Sequence, residues 1–539
     1  MRPSGPALSD PPTDLPAPGR APVPAWLWAA IVVWALAFVA ALAVSPKAAL
    51  ALLAVPALAI PAVWSKADPA AVLTVYAAFL FLVPAHLVVP GVGASGRPPV
   101  VIGILGLAWL GAAVIVPEIP NARGRQPLRI AMFVFAASFV MSYVSAYTRI
   151  LPPIEERALF RGMIVVAGSI GAALLAADGI GSKQRLETLL RRTTWFAAAV
   201  AVMGMVQFFT GFDIAALIRV PGLVPNTEVS FFGEERFYQR VAGTAMHPIE
   251  FGVVMAMMLP IALHFAIVDR HLDPLRRFLP LVLIAAVVPM SVSRSGTLAA
   301  GVALAMLIPT WHSPLRERAI VLGAGFLVLM RAAVPGLLGT IKALFVNLFN
   351  DPSTTGRTED YGMVGPYIAE SPWFGRGFYT FLPDRYFTLD NQYLLSLVDS
   401  GLLGLVAVLG LFVVGISLAR GARRRSEDFA TRDLGQALAA SLMATAVTFA
   451  TFDAFSFPMV TGLTFLLLGC AGALWRLTGG PAGPLRDGDC LVDLDGLIAG
   501  YAAWRTGPSS RRRADEQAAP AEAEALSPVS GGHGSRSSG

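Results

Sequence analysis

The sequence predicts an all-α fold, a polytopic transmembrane helical bundle of about 12–14 spans with one large extracytoplasmic loop. Three observations predict it. The composition is 55% hydrophobic and 14% charged, with a mean hydropathy of +0.64, far from that of a soluble domain. Apolar runs long enough to cross ~30 Å of hydrocarbon, roughly 20 residues each, follow one another along most of the chain. One polar stretch, roughly Thr340 to Asp390, is set among them.

Several function classes fall away on composition. The net charge of +6 comes from short arginine clusters between apolar runs, the pattern that orients a membrane protein and not one that grips nucleic acid. Cys470 lies in an apolar run and Cys490 in a polar tail, so the two cysteines form no disulfide framework. There is no Gly-rich nucleotide loop, no Cys/His metal spacing and no His-Glu-x-x-His helix. An ATP-driven pump and a membrane metalloprotease therefore find no support, and no metal and no cofactor is expected.

In chain order, residues 1–25 are rich in Pro, Ser and Gly and are expected as a disordered cytoplasmic tail. They carry no compact basic n-region and no small-residue cleavage pattern follows, so the first apolar run is not read as a cleavable signal peptide. Residues 26–212 form the N-terminal membrane helices, with runs near 26–45, 48–64, 69–90, 99–117, 128–147, 158–178 and 195–212. Some are short or broken by Pro56, Pro61 or Pro84, which keeps twelve spans as open as fourteen. A first long outer loop, 213–246, leads to membrane helices over 247–339, near 247–268, 278–293, 296–311 and 318–336. Pro260 sits inside one of these, where neighbouring helices or water can satisfy the freed carbonyl. The large extracytoplasmic loop, 340–390, precedes membrane helices over 391–476, near 392–418, 434–452 and 457–476. Residues 477–539 are expected as a cytoplasmic, mostly disordered tail, within which Leu491 to Trp504 has the composition of a short amphipathic helix.

The arginines orient the bundle. With a cytoplasmic N-terminus, the inner loops hold Arg123, Arg125 and Arg129, then Lys183, Arg185, Arg191 and Arg192, then Arg270, Arg276 and Arg277, then Arg316 and Arg318, then the cluster from Arg420 to Arg432. The short outer loops hold few positive charges, as the positive-inside rule requires. Both long loops then lie outside. A folded outer loop suits an enzyme that must cover a substrate at the membrane surface.

Three arginines gather on that outer side. Arg240 stands in Tyr238-Gln239-Arg240-Val241-Ala242-Gly243-Thr244-Ala245-Met246-His247-Pro248, Arg294 in Ser291-Val292-Ser293-Arg294-Ser295-Gly296, and Arg357 in Thr355-Gly356-Arg357. A planar, always-charged guanidinium binds phosphate oxygens bidentately and is the usual choice for a diphosphate. The competing reading is that each snorkels or pairs with Glu234, Glu235, Glu250, Glu359 or Asp360. His247, before Pro248 at a helix entrance, is either a capping residue or a base, and Asp453 is a further acid on the same side. Tyr379, Trp373 and Phe374 are placed either to stack on sugar rings or to anchor the loop at the interface.

The order of these motifs resembles a family. Arg-x-x-Gly-Thr with His-Pro (240–248), Ser-Arg-Ser-Gly (293–296), Thr-Gly-Arg (355–357), Pro-Trp-Phe-Gly-x-Gly (372–377), Asp-Asn-Gln-Tyr (390–393) and Gly-Leu-Leu-Gly-Leu (401–405) look like the O-antigen ligase and O-antigen polymerase family of bacterial envelope proteins. The resemblance covers about residues 200 to 420. It implies a multi-pass protein of the bacterial plasma membrane. The implied activity is a metal-independent glycosyltransferase that joins or polymerises polyprenyl-diphosphate-linked glycan at the outer face. Its partners would be that donor, a glycan or lipid-glycan acceptor and membrane lipids, with no nucleic acid.

The resemblance also assigns roles. Arg240, Arg294 and Arg357 would hold the donor diphosphate, the first two also stabilising charge on the leaving group. Family ligases carry a His just before the Asn of the loop-end motif as the base for the acceptor hydroxyl. Here that position is Asp390, followed by Asn391. A carboxylate can serve as a base, so Asp390 is the candidate, with His247, Asn391 and Arg376 as further site residues. The change weakens a ligase acting on a lipid A core and leaves polymerase open. Two rivals stand beside this reading. A transporter or flippase of a lipid-linked anion should line a midplane path with its arginines, and a peptidoglycan polymerase would share the donor chemistry.

Overall fold

The computed structural model describes residues 68–115, 122, 126–226, 240–334, 336, 339, 342 and 362–479. The expected runs at 26–45 and 48–64, both tails, Arg123, Arg125 and the 343–361 part of the polar stretch with Arg357 lie outside the described residues. Residues 1–121 with 126–480 form one compact unit and 122–125 with 481–539 another. Of the second unit, only Ala122 is among the described residues; the helices and the candidate site all belong to the first.

The architecture is helical. The helices are α1 (Pro69–Leu82), α2 (Pro98–Ile115), α3 (Pro127–Ala146), α4 (Pro153–Gly179), α5 (Lys183–Thr210), α6 (Pro248–Val268), α7 (Pro274–Met290), α8 (Arg294–Leu307), α9 (Ser313–Ala333), α10 (362–370), α11 (Gln392–Arg425), α12 (Phe429–Thr448) and α13 (Pro458–Thr478). Among the described residues, α3, α4, α5, α6, α11 and α13 are each long and apolar enough to cross a membrane. Each described run expected from hydropathy has its helix, and the protein is a polytopic helical membrane protein. The only sheet among the described residues is a two-residue antiparallel pair, Leu87–Val88 against Val224–Pro225.

Helix ends follow from capping chemistry that hydropathy cannot read. Prolines stand in the first turns of α1, α3, α4, α6, α7, α9 and α13, where a missing N–H costs nothing and the fixed φ suits the helix. Pro84 does end the first described run: α1 stops at Leu82 and not near 90, and the chain turns into the small strand pair. Helix α5 departs from expectation in the other direction. Ser182 accepts a hydrogen bond from the Arg185 backbone N–H at 3.3 Å, so the helix begins at Lys183, and the basic residues expected in a loop form its first turns. That end of the bundle is tied by ion pairs, Arg129–Asp178 at 2.8 Å, Lys183–Asp428 at 2.6 Å and a forked Arg191–Asp269 pair at 2.7 and 2.9 Å.

Helices α6 and α13 run through the core, with most of their residues buried. They carry the site's framework inward.

Candidate active site

The chain breaks inside α11. Gly401 has φ 66° and ψ −169°, a conformation closed to residues with a Cβ. A broken helix at membrane depth leaves backbone groups that water cannot satisfy. The motif loop 372–377 supplies their partners. The freed N–H groups of Leu402 and Leu403 donate to the carbonyls of Pro372 (2.8 Å) and Trp373 (3.2 Å), while Arg376 and Gly377 donate to the carbonyls of Val398 (3.0 Å) and Asp399 (2.9 Å). Asp399, buried, accepts from the Tyr379 N–H at 3.0 Å and the Phe381 N–H at 3.2 Å. A Cβ on Gly375 or Gly401 would collide with the opposite backbone. Two of the motifs read in the sequence are thus the two halves of one clasp.

The clasp seats the rest of the loop. Phe381 stacks on Tyr386 at 4.7 Å, and the Arg376 guanidinium lies over Tyr367 (5.0 Å) and Tyr386 (5.3 Å) while pairing with Glu370. Glu155 at the start of α4, wholly buried, receives Arg149 (2.6 Å), Arg385 (3.0 Å) and the Tyr386 hydroxyl (2.9 Å). Of the expected site residues, Arg376 is therefore built into the loop's own packing.

The remaining candidates meet where several helices begin. Glu250, buried in the first turn of α6, accepts from the Met246 N–H at 2.7 Å and the Met459 N–H at 2.6 Å, joining the entrances of α6 and α13. Gly252 and Gly296 let α6 and α8 pack backbone to backbone, since a Cβ on Gly296 would stand 2.9 Å from Gly252. Thr451 donates to Ser295 at 2.8 Å, bringing the entrance of α8 to the 449–457 turn. Gln392 closes the ring: its N–H donates to the Phe449 carbonyl at 2.8 Å and its side-chain carbonyl accepts from the Phe455 N–H at 2.7 Å. The Tyr379 hydroxyl donates to the Phe455 carbonyl. The entrances of α6, α8, α11 and α13 are joined at one end of the bundle, carrying His247, Arg294, Asp390 with Asn391, and Asp453. Four positive dipole ends with an arginine among them suit an anion.

Each candidate has a definite local setting. Arg294 opens α8, half-buried, directly after Val292 and Ser293, the former a β-branched residue held at φ 47°. Strain of this kind persists only where the surroundings impose it, and it gathers at functional sites. Arg240 directly precedes Val241 to Gly243, where the backbone N–H groups of Ala242 and Gly243 both donate to the Gln207 side chain at 3.1 Å. His247 caps α6, its Nδ1 accepting from the Ile249 N–H at 3.1 Å, which is the capping role. Asn391 likewise caps α11 through the Leu394 N–H at 3.2 Å. Asp390 and Asp453 lie within electrostatic reach of one another.

Hydropathy hid several residues of this end. Arg97 is buried, its Nε donating to the Ala85 carbonyl at 3.1 Å and its Nη2 standing 3.4 Å from the Met246 sulfur, with Glu250 attracting it. The Arg161 guanidinium lies against Gly93, 3.1 Å from where a Cβ would be. Arg149, Arg157 and Arg161 are further cations at this end of the bundle, Arg149 paired with the buried Glu155 and Arg157 exposed.

Burial pushes the Asp453 carboxyl up to about 7, with the Asp390 charge adding and the Ser456 hydroxyl opposing. Between the ordinary aspartate value, ~4, and about 7, the folded protein holds a proton that the unfolded chain has released. Stability from this group is therefore full at low pH and is lost as pH rises through that window. Thermal melting in detergent should fall from pH 5 to pH 8, and Asp453→Asn should flatten that slope. An unchanged slope would show that Asp453 is not the titrating group.

Residues 279–409 match the model of the O-antigen ligase family. No curated protein matches the chain. The matched stretch holds Arg294, the clasp, Asp390 and the break at Gly401, and it supports both the resemblance read from the motifs and a membrane role in glycan assembly.

Proposed function

We propose that this protein is a glycosyltransferase that joins or polymerises polyprenyl-diphosphate-linked glycan at the outer face of the plasma membrane, without a metal. The observation that carries the reading is the union of four helix entrances around Arg294 and Asp390, beside a folded loop clasped into α11. An acceptor hydroxyl attacks the anomeric carbon of the donor sugar, the bond to the diphosphate oxygen breaks, and polyprenyl diphosphate leaves. Arg240 and Arg294, with Arg357 as a third, hold the diphosphate and stabilise the charge that grows on it. Asp390 takes the hydroxyl proton. Arg97 and Arg161 add positive potential at the same end. Exposed Trp373 offers a face for a sugar ring.

The orientation is testable by labelling. In a background free of Cys470 and Cys490, an impermeant thiol reagent should modify Asp384→Cys in intact cells and reach Glu427→Cys only after the membrane is opened. The reverse pattern would move the proposed site to the cytoplasm and end the reading.

The chemistry is testable at Asp390. Asp390→Asn keeps size but cannot take a proton, so transfer should fall ~10²–10⁴-fold, with donor binding intact and transfer in wild-type membranes unaffected by chelators. Asp390→His should retain part of the activity. Near-wild-type product from Asp390→Asn would place the base elsewhere, with His247 next.

A further inference from the structure

At the opposite end of the bundle from Arg294 and Asp390, a cavity of about 270 Å³ opens between α8, α11 and α12. Arg420, Arg423 and Arg424 line it together with Met306, Thr310 and Gln436, and no carboxylate is among its lining residues. Two of the polar groups are fixed in place: Arg423 donates to the Thr310 carbonyl at 3.4 Å and Gln436 to the Met306 carbonyl at 2.6 Å. Asp433, one turn before Gln436 on α12, attracts Arg423 at a distance. Its own oxygens are taken, one by the Trp311 indole N–H at 2.7 Å and the other by His264 Nδ1 at 2.7 Å. Among the described residues, the three guanidiniums therefore share a concave site without an ion-paired carboxylate, whereas Arg129, Lys183 and Arg191 near the same end each have one.

The surface leading to the cavity is equally specific. On α11, Leu402, Val406, Leu409 and Val413 are exposed, and Ser417, Arg420 and Arg424 continue the same exposed stripe at helical spacing. Arg420 follows Leu402 by eighteen residues, which at ~1.5 Å per residue spans roughly 27 Å. That is close to the ~30 Å thickness of bilayer hydrocarbon. The face is apolar from Leu402 to Val413 and ends, past Ser417, in arginines, so it meets an acyl chain along its upper part and a phosphate at its foot.

We propose that this cavity binds the phosphate ester of an anionic lipid headgroup, held by Arg420, Arg423 and Arg424 with its acyl chain along the exposed stripe of α11. Arg423 forks toward the phosphate from the cavity wall, and the exposed Arg420 and Arg424 close over it from the lipid side. Gln436 supplies a neutral hydrogen-bonding group for the rest of the headgroup.

The test uses the full-length protein in phosphatidylcholine nanodiscs, titrated with phosphatidylglycerol labelled on its acyl chain, with energy transfer from tryptophan as readout. Arg420→Gln/Arg424→Gln alters exposed side chains and spares the fold. It should weaken phosphatidylglycerol binding by at least about tenfold. Arg270→Gln/Arg276→Gln, which removes the same charge from the α6–α7 turn and the first turn of α7, should leave binding unchanged. Millimolar inorganic phosphate should not displace the lipid. An equal loss in both double variants would reduce the arginines to a topogenic charge, displacement by inorganic phosphate would make this a soluble-anion site, and unchanged binding in Arg420→Gln/Arg424→Gln would remove the site. Each of these results overturns the proposal.

Discussion

Arg294→Lys is expected to lose glycan transfer by ~10²–10³-fold, the effect of removing one preorganised donor from a developing negative charge, while accumulating in the membrane as the wild type does. The charge survives the substitution. What is lost is the planar fork that meets two phosphate oxygens at once, which an ammonium cannot reproduce. Position strengthens the effect, because Arg294 sits in the first turn of α8 behind the strained Val292, so its approach is set by backbone and not by a flexible loop. A merely snorkelling or ion-paired arginine would tolerate lysine with little change in rate. Transfer from lipid-linked donor, normalised to protein in the membrane, distinguishes the two.

Gly401→Ala is expected to prevent folding of the site and, with it, accumulation of the protein. The residue occupies a backbone region essentially reserved for glycine, at ~1–3 kcal/mol for a residue with a Cβ. The added methyl would also collide with the backbone of Trp373 and Phe374, where neither strand of the clasp can yield without losing its hydrogen bonds. Overpacking of that kind costs a further ~1–3 kcal/mol. Together these consume a large part of the ~5–15 kcal/mol by which a typical fold is stable. Gly410, on the same helix with open space around it, provides the control, and Gly410→Ala should accumulate normally. Detergent-extracted yield and melting temperature read the difference. Equal behaviour of the two alanine variants would mean that the break at Gly401 is not required.

The membrane-spanning architecture was legible because lipid imposes a length and a polarity on each span, and both are written in composition. Helix ends were not, since they depend on capping by residues such as Ser182 and Pro69 that carry no hydropathy signal. The candidate site was legible in part. Arg294, Asp390 and the glycine-rich motifs stood out as polar or breaking residues among apolar ones. Their physical roles did not. Pro372 to Gly377 and Gly401 read as family marks, and only the fold shows them satisfying one another's backbone groups. Arg376 read as a site cation, yet Tyr367, Tyr386 and Glu370 enclose it. Arg97, Glu155, Glu250 and Asp399 each gain meaning from partners far away in sequence, Glu250 from Met459 and Asp399 from Tyr379. No periodicity announces such contacts.

The central claim, that Arg240 and Arg294 hold the donor diphosphate at the end of the bundle where Asp390 lies, is tested most directly by following transfer from purified polyprenyl-diphosphate-linked glycan in proteoliposomes carrying wild type, Arg240→Ala or Arg294→Ala. Both variants should insert and melt like the wild type while product formation falls to background. Wild-type product from both alanine variants would contradict the claim, because the diphosphate would then be held by other groups.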